Sequence, residues 1–301
     1  MYKNEIIITS ALRTAVGSLN KSLKNIEAYK LGAEVLSKSI KKCNLKTDEI
    51  DEIIMGQVLT GGAGQNPARQ AAIKSGIPIE KPAYIVNQVC GSGIRSVASA
   101  FQSIKSGDSK IAIAGGQENM SLAPHAVHLR NGKKLGNIEM TDTMIKDGLW
   151  DAFHNYHMGM TAENVATKFQ VTREHQDKFA LNSQEKALKA QKKDKFKKEI
   201  VSVKIKSKTS EIDFIKDEHP REGITLDNLS RLKPVFKKDG SVTAGNASGI
   251  NDGAAAVTMM SSSEAEKREL KKLVSIKSWA SCGVDPALMG TGPIPASKKA
   301  L

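Results

Sequence analysis

The segment Val86-Asn87-Gln88-Val89-Cys90-Gly91-Ser92-Gly93-Ile94-Arg95-Ser96 carries the densest chemistry in this 301-residue chain. Cys90 falls where a β-branched run ends and a small-residue helical pattern begins. At such a junction free N–H groups and the helix dipole favour a thiolate and a developing oxyanion. Gly91 and Gly93 permit a tight turn and close approach of a substrate. Strand, cysteine, helix is the sulfur counterpart of a serine nucleophile elbow, so Cys90 is a candidate for nucleophilic chemistry. A buried structural cysteine is the competing reading. A dinucleotide fingerprint is excluded, because Gly91-Ser92-Gly93-Ile94-Arg95-Ser96 ends in serine where the third glycine belongs.

Periodicity supplies the elements that must position this segment. Glu5–Ser10, Ile53–Val58, Ala83–Val89 and Lys110–Ala114 are strand-like. Glu27–Lys42 carries helix-spaced Leu31, Val35, Leu36 and Ile40, and Ser92–Ile104 is a small-residue helix. Asn66-Pro67-Ala68-Arg69 reads as an N-cap with proline at the first helical position. This alternation predicts an α/β chain with a mostly parallel sheet and helices on its faces. The pattern breaks at Gly115-Gly116. Residues 119–248 lack steady alternation apart from helices near 161–169 and 173–195, the second with Phe179, Ala180, Ser183, Ala187 and Ala190 in helical spacing. The sheet resumes at Asp252–Met260, followed by a charged helix, Ser263–Leu270, and a strand, Leu273–Ala280. Pro293–Leu301 opens a helix of about one turn, which is marginal alone. The chain is therefore expected to stop inside a domain.

Composition narrows the class. The net charge is +13, but only eight of the 45 cations are arginine and aromatics are 4%. That is poor material for base readout or stacking, so no nucleic-acid partner is expected. Ten lysines fall within Lys186–Lys208, whose second half, Ile200–Ile205, alternates like an exposed strand. A solvated lysine face is the plain reading, with an anionic small substrate as the next. No window approaches 18 uncharged apolar residues, so no membrane partner is expected. Met1–Ile8 reads as the start of the fold rather than a signal peptide. Cys43, Cys90 and Cys282 form no CxxC pair, which points to a reducing, cytoplasmic setting without a thiol metal site.

Four segments in order resemble the thiolase family. Asn87–Gly93 resembles its nucleophile motif and Gly115-Gly116-Gln117-Glu118-Asn119-Met120-Ser121 the segment leaving its first core domain. His157-Met158-Gly159-Met160-Thr161-Ala162-Glu163-Asn164 and Gly245-Asn246-Ala247-Ser248-Gly249-Ile250-Asn251-Asp252-Gly253-Ala254 match two further stretches, and the likeness extends to Gly290-Thr291-Gly292-Pro293. The resemblance implies a layered α-β-α-β-α fold. Residues 1–118 and 249–271 would form the N-terminal core, 119–248 an inserted CoA-binding loop domain, and 272–301 the start of a second core. It implies Claisen condensation of two acetyl-CoA to acetoacetyl-CoA, and the reverse thiolysis, through an acyl-Cys90 intermediate. The Cys90 N–H would help form an oxyanion hole. CoA would be held by Leu149, His157, Met158, Arg221, Phe236, Ala244, Ser248 and Gly249, with Arg221 near the nucleotide end. No cofactor is implied, since the CoA thioester is the substrate. His157-Met158 resembles the short-chain type. Read without the family, His157 is a polar loop residue or half of a His154-x-x-His157 metal pair, and Met158 is core filling. A homodimer or homotetramer is implied, with Ser121–Met140 a place for contacts.

The family also uses a histidine in Gly-His-Pro, a second cysteine in Cys-x-Gly and an asparagine in Asn-Glu-x-Phe, none of which occurs in these 301 residues. His125, His128, His154, His157, His175 and His219 are all flanked otherwise, and Cys43 and Cys282 read as structural. A thiolate alone cannot run proton transfer at an α-carbon, so the chain by itself is expected to be inactive. The competing readings are a non-catalytic CoA-binding or assembly subunit completed by a partner chain, and a ketoacyl synthase relative of the same doubled fold.

Overall fold

Ile53, Ile54 and Met55 are all fully buried, yet they face opposite ways: Ile53 and Met55 join one apolar cluster and Ile54 the other. Ile111/Ile113 against Ala112/Ala114, and Met260 against Met259, repeat that division. Period-two alternation buried on both sides is what a sheet covered by helices on each face requires. In the computed structural model, which describes residues 5–206 and 210–301, that sheet is the core. Met1–Asn4 and Lys208, on which parts of the sequence reading fall, lie outside the described residues.

The strands are β1 (Ile6–Thr14), β2 (Glu52–Gly56), β3 (Ala83–Val86), β4 (Ile111–Asn119), β5 (Ile200–Val201) and, after a hairpin of β6 (Val203–Lys206) and β7 (Glu211–Phe214), β8 (Asn251–Ser261) and β9 (Val274–Ser275). Their order is β5-β1-β8-β4-β2-β3, with β9 also on β1. Helices α1 (Ala28–Lys42) and α2 (Pro67–Lys74) cover one face through Leu31, Val35, Leu36, Ala68 and Ala71. Helix α3 (Ser92–Ser106) covers the other through Ala100 and Ile104. The Asn66 N-cap is realised: its side chain accepts the Arg69 N–H at 3.1 Å.

Three expectations change. The sheet is mixed rather than mostly parallel. β2, β3 and β4 run parallel, but the long β8 is antiparallel to both neighbours, β1 and β4. It enters after a long excursion of the chain rather than through a crossover helix, and alternation along a strand does not encode its direction. Gly115-Gly116 does not end a strand. β4 runs through both to Asn119, and a Cβ on Gly115 would lie 2.0 Å from the Ala255 carbonyl oxygen of β8. The glycine marks close strand contact, not a breaker. Third, Val201, Val203 and Ile205 are buried in the α1/α2-side cluster, so this stretch is half-buried, not exposed.

The chain divides into two compact units. One comprises Met1–Met144, Lys197–Asp217 and Ile250–Lys277; the other comprises Ile145–Phe196, Glu218–Gly249 and Ser278–Leu301. These limits differ from the boundaries read at 118/119, 248/249 and 271/272, because 197–217 returns to the sheet. There Arg13 Nε donates to Glu199 at 2.8 Å and its terminal nitrogens to both Asp217 oxygens at 2.7 and 3.0 Å. In the second unit are α4 (Met158–Lys168), α5 (Arg173–Lys192) and a two-turn helix, Pro293–Ala300. The strand expected over Leu273–Ala280 is limited to β9.

β9 is fastened by charge. The Glu5 carboxylate takes Lys277, Lys272 at 2.9 Å and the Ser275 hydroxyl at 2.8 Å. Lys277 first, then Lys272 and Ser275, lower its pKa from the ordinary 4.5 to about 2. A depressed carboxylate stabilises the fold above its ordinary pKa, and that contribution is lost as pH falls from 4.5 towards about 2. Urea unfolding across this window is expected to show a smaller acid loss of stability in Glu5→Gln than in the parent; identical acid limbs would contradict it.

Candidate functional site

The seat of the Cys90 segment is built on two glycines. Gly56 of β2 and Gly116 of β4 are register partners. A Cβ on Gly56 would lie 2.5 Å from the Ser92 carbonyl carbon, and one on Gly116 would lie 3.6 Å from the Gly93 Cα. Their bare backbones form a trough for the first turn of α3. Ser96, fully buried, locks the helix there: its hydroxyl is 2.7 Å from both the Gly93 and Gly115 carbonyl oxygens and can donate to either.

With α3 so seated, the chain leaving β3 must turn inside Asn87–Gly91. Val89 absorbs the turn with φ +46°, a left-handed conformation that strains a β-branched residue by about 1–3 kcal/mol. Ser92 offsets it: its hydroxyl accepts the Gln88 N–H at 2.8 Å and donates to the Val89 carbonyl at 2.6 Å. Gly91 N–H donates to Gln88 O and Ser92 N–H to Val89 O, both at 3.0 Å. Cys90 stands exposed at the apex, just before Gly91, the N-cap of α3. The expected strand Ala83–Val89 is shorter, and it is an edge strand rather than a buried one, with Tyr84 38% exposed. Cys43 is buried and Cys282 partly so.

Nearby, Glu118 of β4 accepts the Val58 and Leu59 N–H groups at 2.8 and 3.2 Å. Burial holds its carboxyl above the usual range, the two N–H bonds oppose that, and Asp252 adds to it.

The eight residues expected to hold CoA all lie in the second unit. His157 is the N-cap of α4: its Nδ1 accepts the Gly159 N–H at 3.0 Å. Burial lowers its pKa, and with Nδ1 accepting, the neutral ring carries its proton on Nε2. The ring stacks on Phe236, centroids 4.7 Å apart and planes 15° from parallel. A Cβ on Gly159 would meet the Phe236 ring at 2.2 Å, so this contact requires glycine. Met158 follows at the first helical position, half-buried. Leu149, half-buried, precedes the Trp150–Asp151 strand, which pairs with Tyr156–His157. Ala244 and Ser248 are exposed, and Gly249 lies against the His219 ring. Arg221 is exposed, its N–H donating to Gln184 Oε1 of α5 at 2.9 Å. Of the eight, His157 and Phe236 are in direct contact. His154 turns elsewhere, its Nδ1 2.8 Å from Asp151 Oδ2 and its ring stacked on Tyr156.

Sequence reasoning missed the fasteners. Ser92 reads as one more small residue in Gly-Ser-Gly, and Val89 as the last residue of a strand. The helix read from that spacing forms as α5, but its Phe179 is 77% exposed, while Asp177 is buried. Buried Glu163 was legible in principle, since it shares a helical face with Met160 and Ala166. Ser92→Ala is expected to lose about 1–3 kcal/mol in denaturant unfolding, because both hydrogen bonds that the Ser92 hydroxyl makes in the elbow go. Cys90 alkylation should also lose its single rate; unchanged stability and labelling would contradict the elbow.

Residues 6–263 match the family model described as Thiolase, N-terminal domain. An acetyl-CoA acetyltransferase of Rhizobium meliloti (strain 1021) is 55% identical over 301 residues, covering 100% of this chain and 77% of that protein. A cytosolic acetyl-CoA acetyltransferase of Rattus norvegicus is 51% identical over 298 residues, covering 98% and 75%. The crystal structure of the Bacillus anthracis acetyl-CoA acetyltransferase superposes with a TM-score of 0.96 at 40% identity, covering all of this chain and 76% of that one. The α/β architecture, the cysteine elbow and these likenesses agree, and the chain belongs to the thiolase family.

Proposed function

We propose that this chain performs the acylation half of an acetyl-CoA acetyltransferase reaction, with Cys90 as the acyl carrier. The observation that carries the reading is an exposed cysteine on a strained, serine-fastened elbow directly ahead of a helix. In the forward half-reaction the Cys90 thiolate attacks the thioester carbonyl of acetyl-CoA. The tetrahedral oxyanion takes the Cys90 N–H, and collapse breaks the carbonyl–sulfur bond to CoA, which leaves as a thiol after protonation. Sulfur of the protein and sulfur of the substrate do the exchange, so no resident cofactor is needed.

CoA, on this reading, binds the second unit. The Phe236–His157 stack gives an apolar wall, the neutral His157 Nε2–H is a donor, and exposed Arg221 suits a phosphate. The chain's lysine excess favours the same anionic ligand. A second copy of the chain is the expected partner. β3, beside the elbow, ends the order of the sheet, and Leu135, Ile138 and Met140 are 85%, 50% and 62% exposed. A cytoplasmic setting is supported by the relative named cytosolic, and no helix among the described residues is long and apolar enough to cross a membrane.

Condensation needs more than a thiolate. The acetyl α-proton must be taken by a base, and the Gly-His-Pro and Cys-x-Gly pair that the family uses for this is not among these 301 residues. The purified chain, assayed for acetoacetyl-CoA thiolysis, is expected to turn over no faster than Cys90→Ala. Turnover matching a complete acetyl-CoA acetyltransferase would overturn this assignment.

A further inference from the structure

We propose that Glu163 and Asp177, buried carboxylates on α4 and α5, are positioning residues that set the shape of the Phe236–Gly249 loop and through it the hold on CoA. The inference rests on the CoA reading above.

The loop has no helix or strand of its own, so its buried N–H groups need partners from elsewhere. Val242 and Thr243 are nonetheless buried. Glu163, 3% exposed, supplies them. Its Oε1 accepts the Ser241 and Val242 N–H groups at 2.8 and 2.7 Å, and its Oε2 lies 3.0 Å from both the Ser241 nitrogen and hydroxyl. The carboxylate reaches so far into the loop that a Cβ on Gly240 would lie 2.4 Å from its Oε1.

Asp177, 1% exposed, grips the same loop four residues further on. Its Oδ1 accepts the Asn246 side-chain N–H at 2.9 Å, while Arg173 Nε donates to its Oδ2 at 2.7 Å. Asn246 passes the constraint along the backbone by donating to Ser241 O at 3.0 Å and accepting the Thr243 N–H at 2.8 Å.

The two grips bracket exposed Ala244. On the other side Phe236 is stacked on His157, the N-cap of the same helix that carries Glu163. One rigid helix therefore fixes His157, Phe236 and the Ser241–Val242 backbone in register. Burying two carboxylates is costly unless their bonds are complete, and complete bonds make the loop rigid. A rigid loop binds its ligand without an ordering cost.

The test compares the parent chain with Glu163→Gln, Asp177→Asn and the milder Ser241→Ala. Calorimetry measures CoA affinity and hydrogen exchange follows the loop peptides. Each carboxylate variant is expected to raise the Kd for CoA about tenfold, with a smaller rise for Ser241→Ala. Exchange should quicken in 236–249, and Cys90 alkylation should be unchanged. Exchange that quickens throughout the chain, or a loosened loop with unaltered CoA affinity, would overturn the proposal alone. A parent chain that binds no CoA would overturn the CoA reading and this inference with it.

Discussion

Close approach between the first turn of α3 and the sheet governs where the Cys90 sulfur stands. Gly56 and Gly116 are register partners on neighbouring parallel strands; a methyl group on Gly56 would drive into the Ser92 backbone 2.5 Å away, whereas one on Gly116 would only touch the Gly93 Cα at 3.6 Å. Ser96 then ties the helix to β4 through the Gly115 carbonyl. Between the end of β3 and the first residue of α3 the chain turns within Asn87–Gly91, and Val89 takes the left-handed conformation there. That strain, about 1–3 kcal/mol, is offset by the two Ser92 hydroxyl bonds and by the apolar clusters on either side of the sheet. Cys90 stands exposed in that turn, directly ahead of α3.

The second unit solves a different problem. It has short paired strands and a long loop, and its order comes from side chains that satisfy backbone groups. Glu163 and Asn246 do this for the segment 241–246, while Asp177 holds the Asn246 side chain and Gln176 the Ser241 hydroxyl. Arg173 does it for the carbonyls of Leu229 and Leu232. Polar satisfaction of this kind is exacting, since one missing partner leaves a buried group unpaired. The elbow relies on apolar packing with a few polar fasteners, whereas the loop relies on polar fasteners with little packing.

Much of the fold was legible because burial on both faces leaves a period-two signature, as in Ile53-Ile54-Met55 and Ile111–Ala114. Cys90 was legible because a β-branched run, a cysteine and a small-residue helix occur in succession. The direction of β8 was not, since alternation is the same for parallel and antiparallel strands. Gly115-Gly116 misled because glycine marks both a break and a close contact, and only the partner strand tells which. Glu163 and Asp177 were passed over because charged helix residues ordinarily face solvent, although the face Glu163 shares with Met160 and Ala166 carried a signal. Their partners in the loop are 69 or more residues away along the chain, as the pairs Glu163–Ser241 and Asp177–Asn246 show.

The central claim is that the elbow makes Cys90 the acyl acceptor, and mass spectrometry of the chain after incubation with acetyl-CoA tests it most directly. One acetyl group on the peptide containing Cys90, absent from Cys90→Ser, is the predicted result. No adduct, or acetylation spread equally over Cys43, Cys282 and the surface lysines, would contradict it.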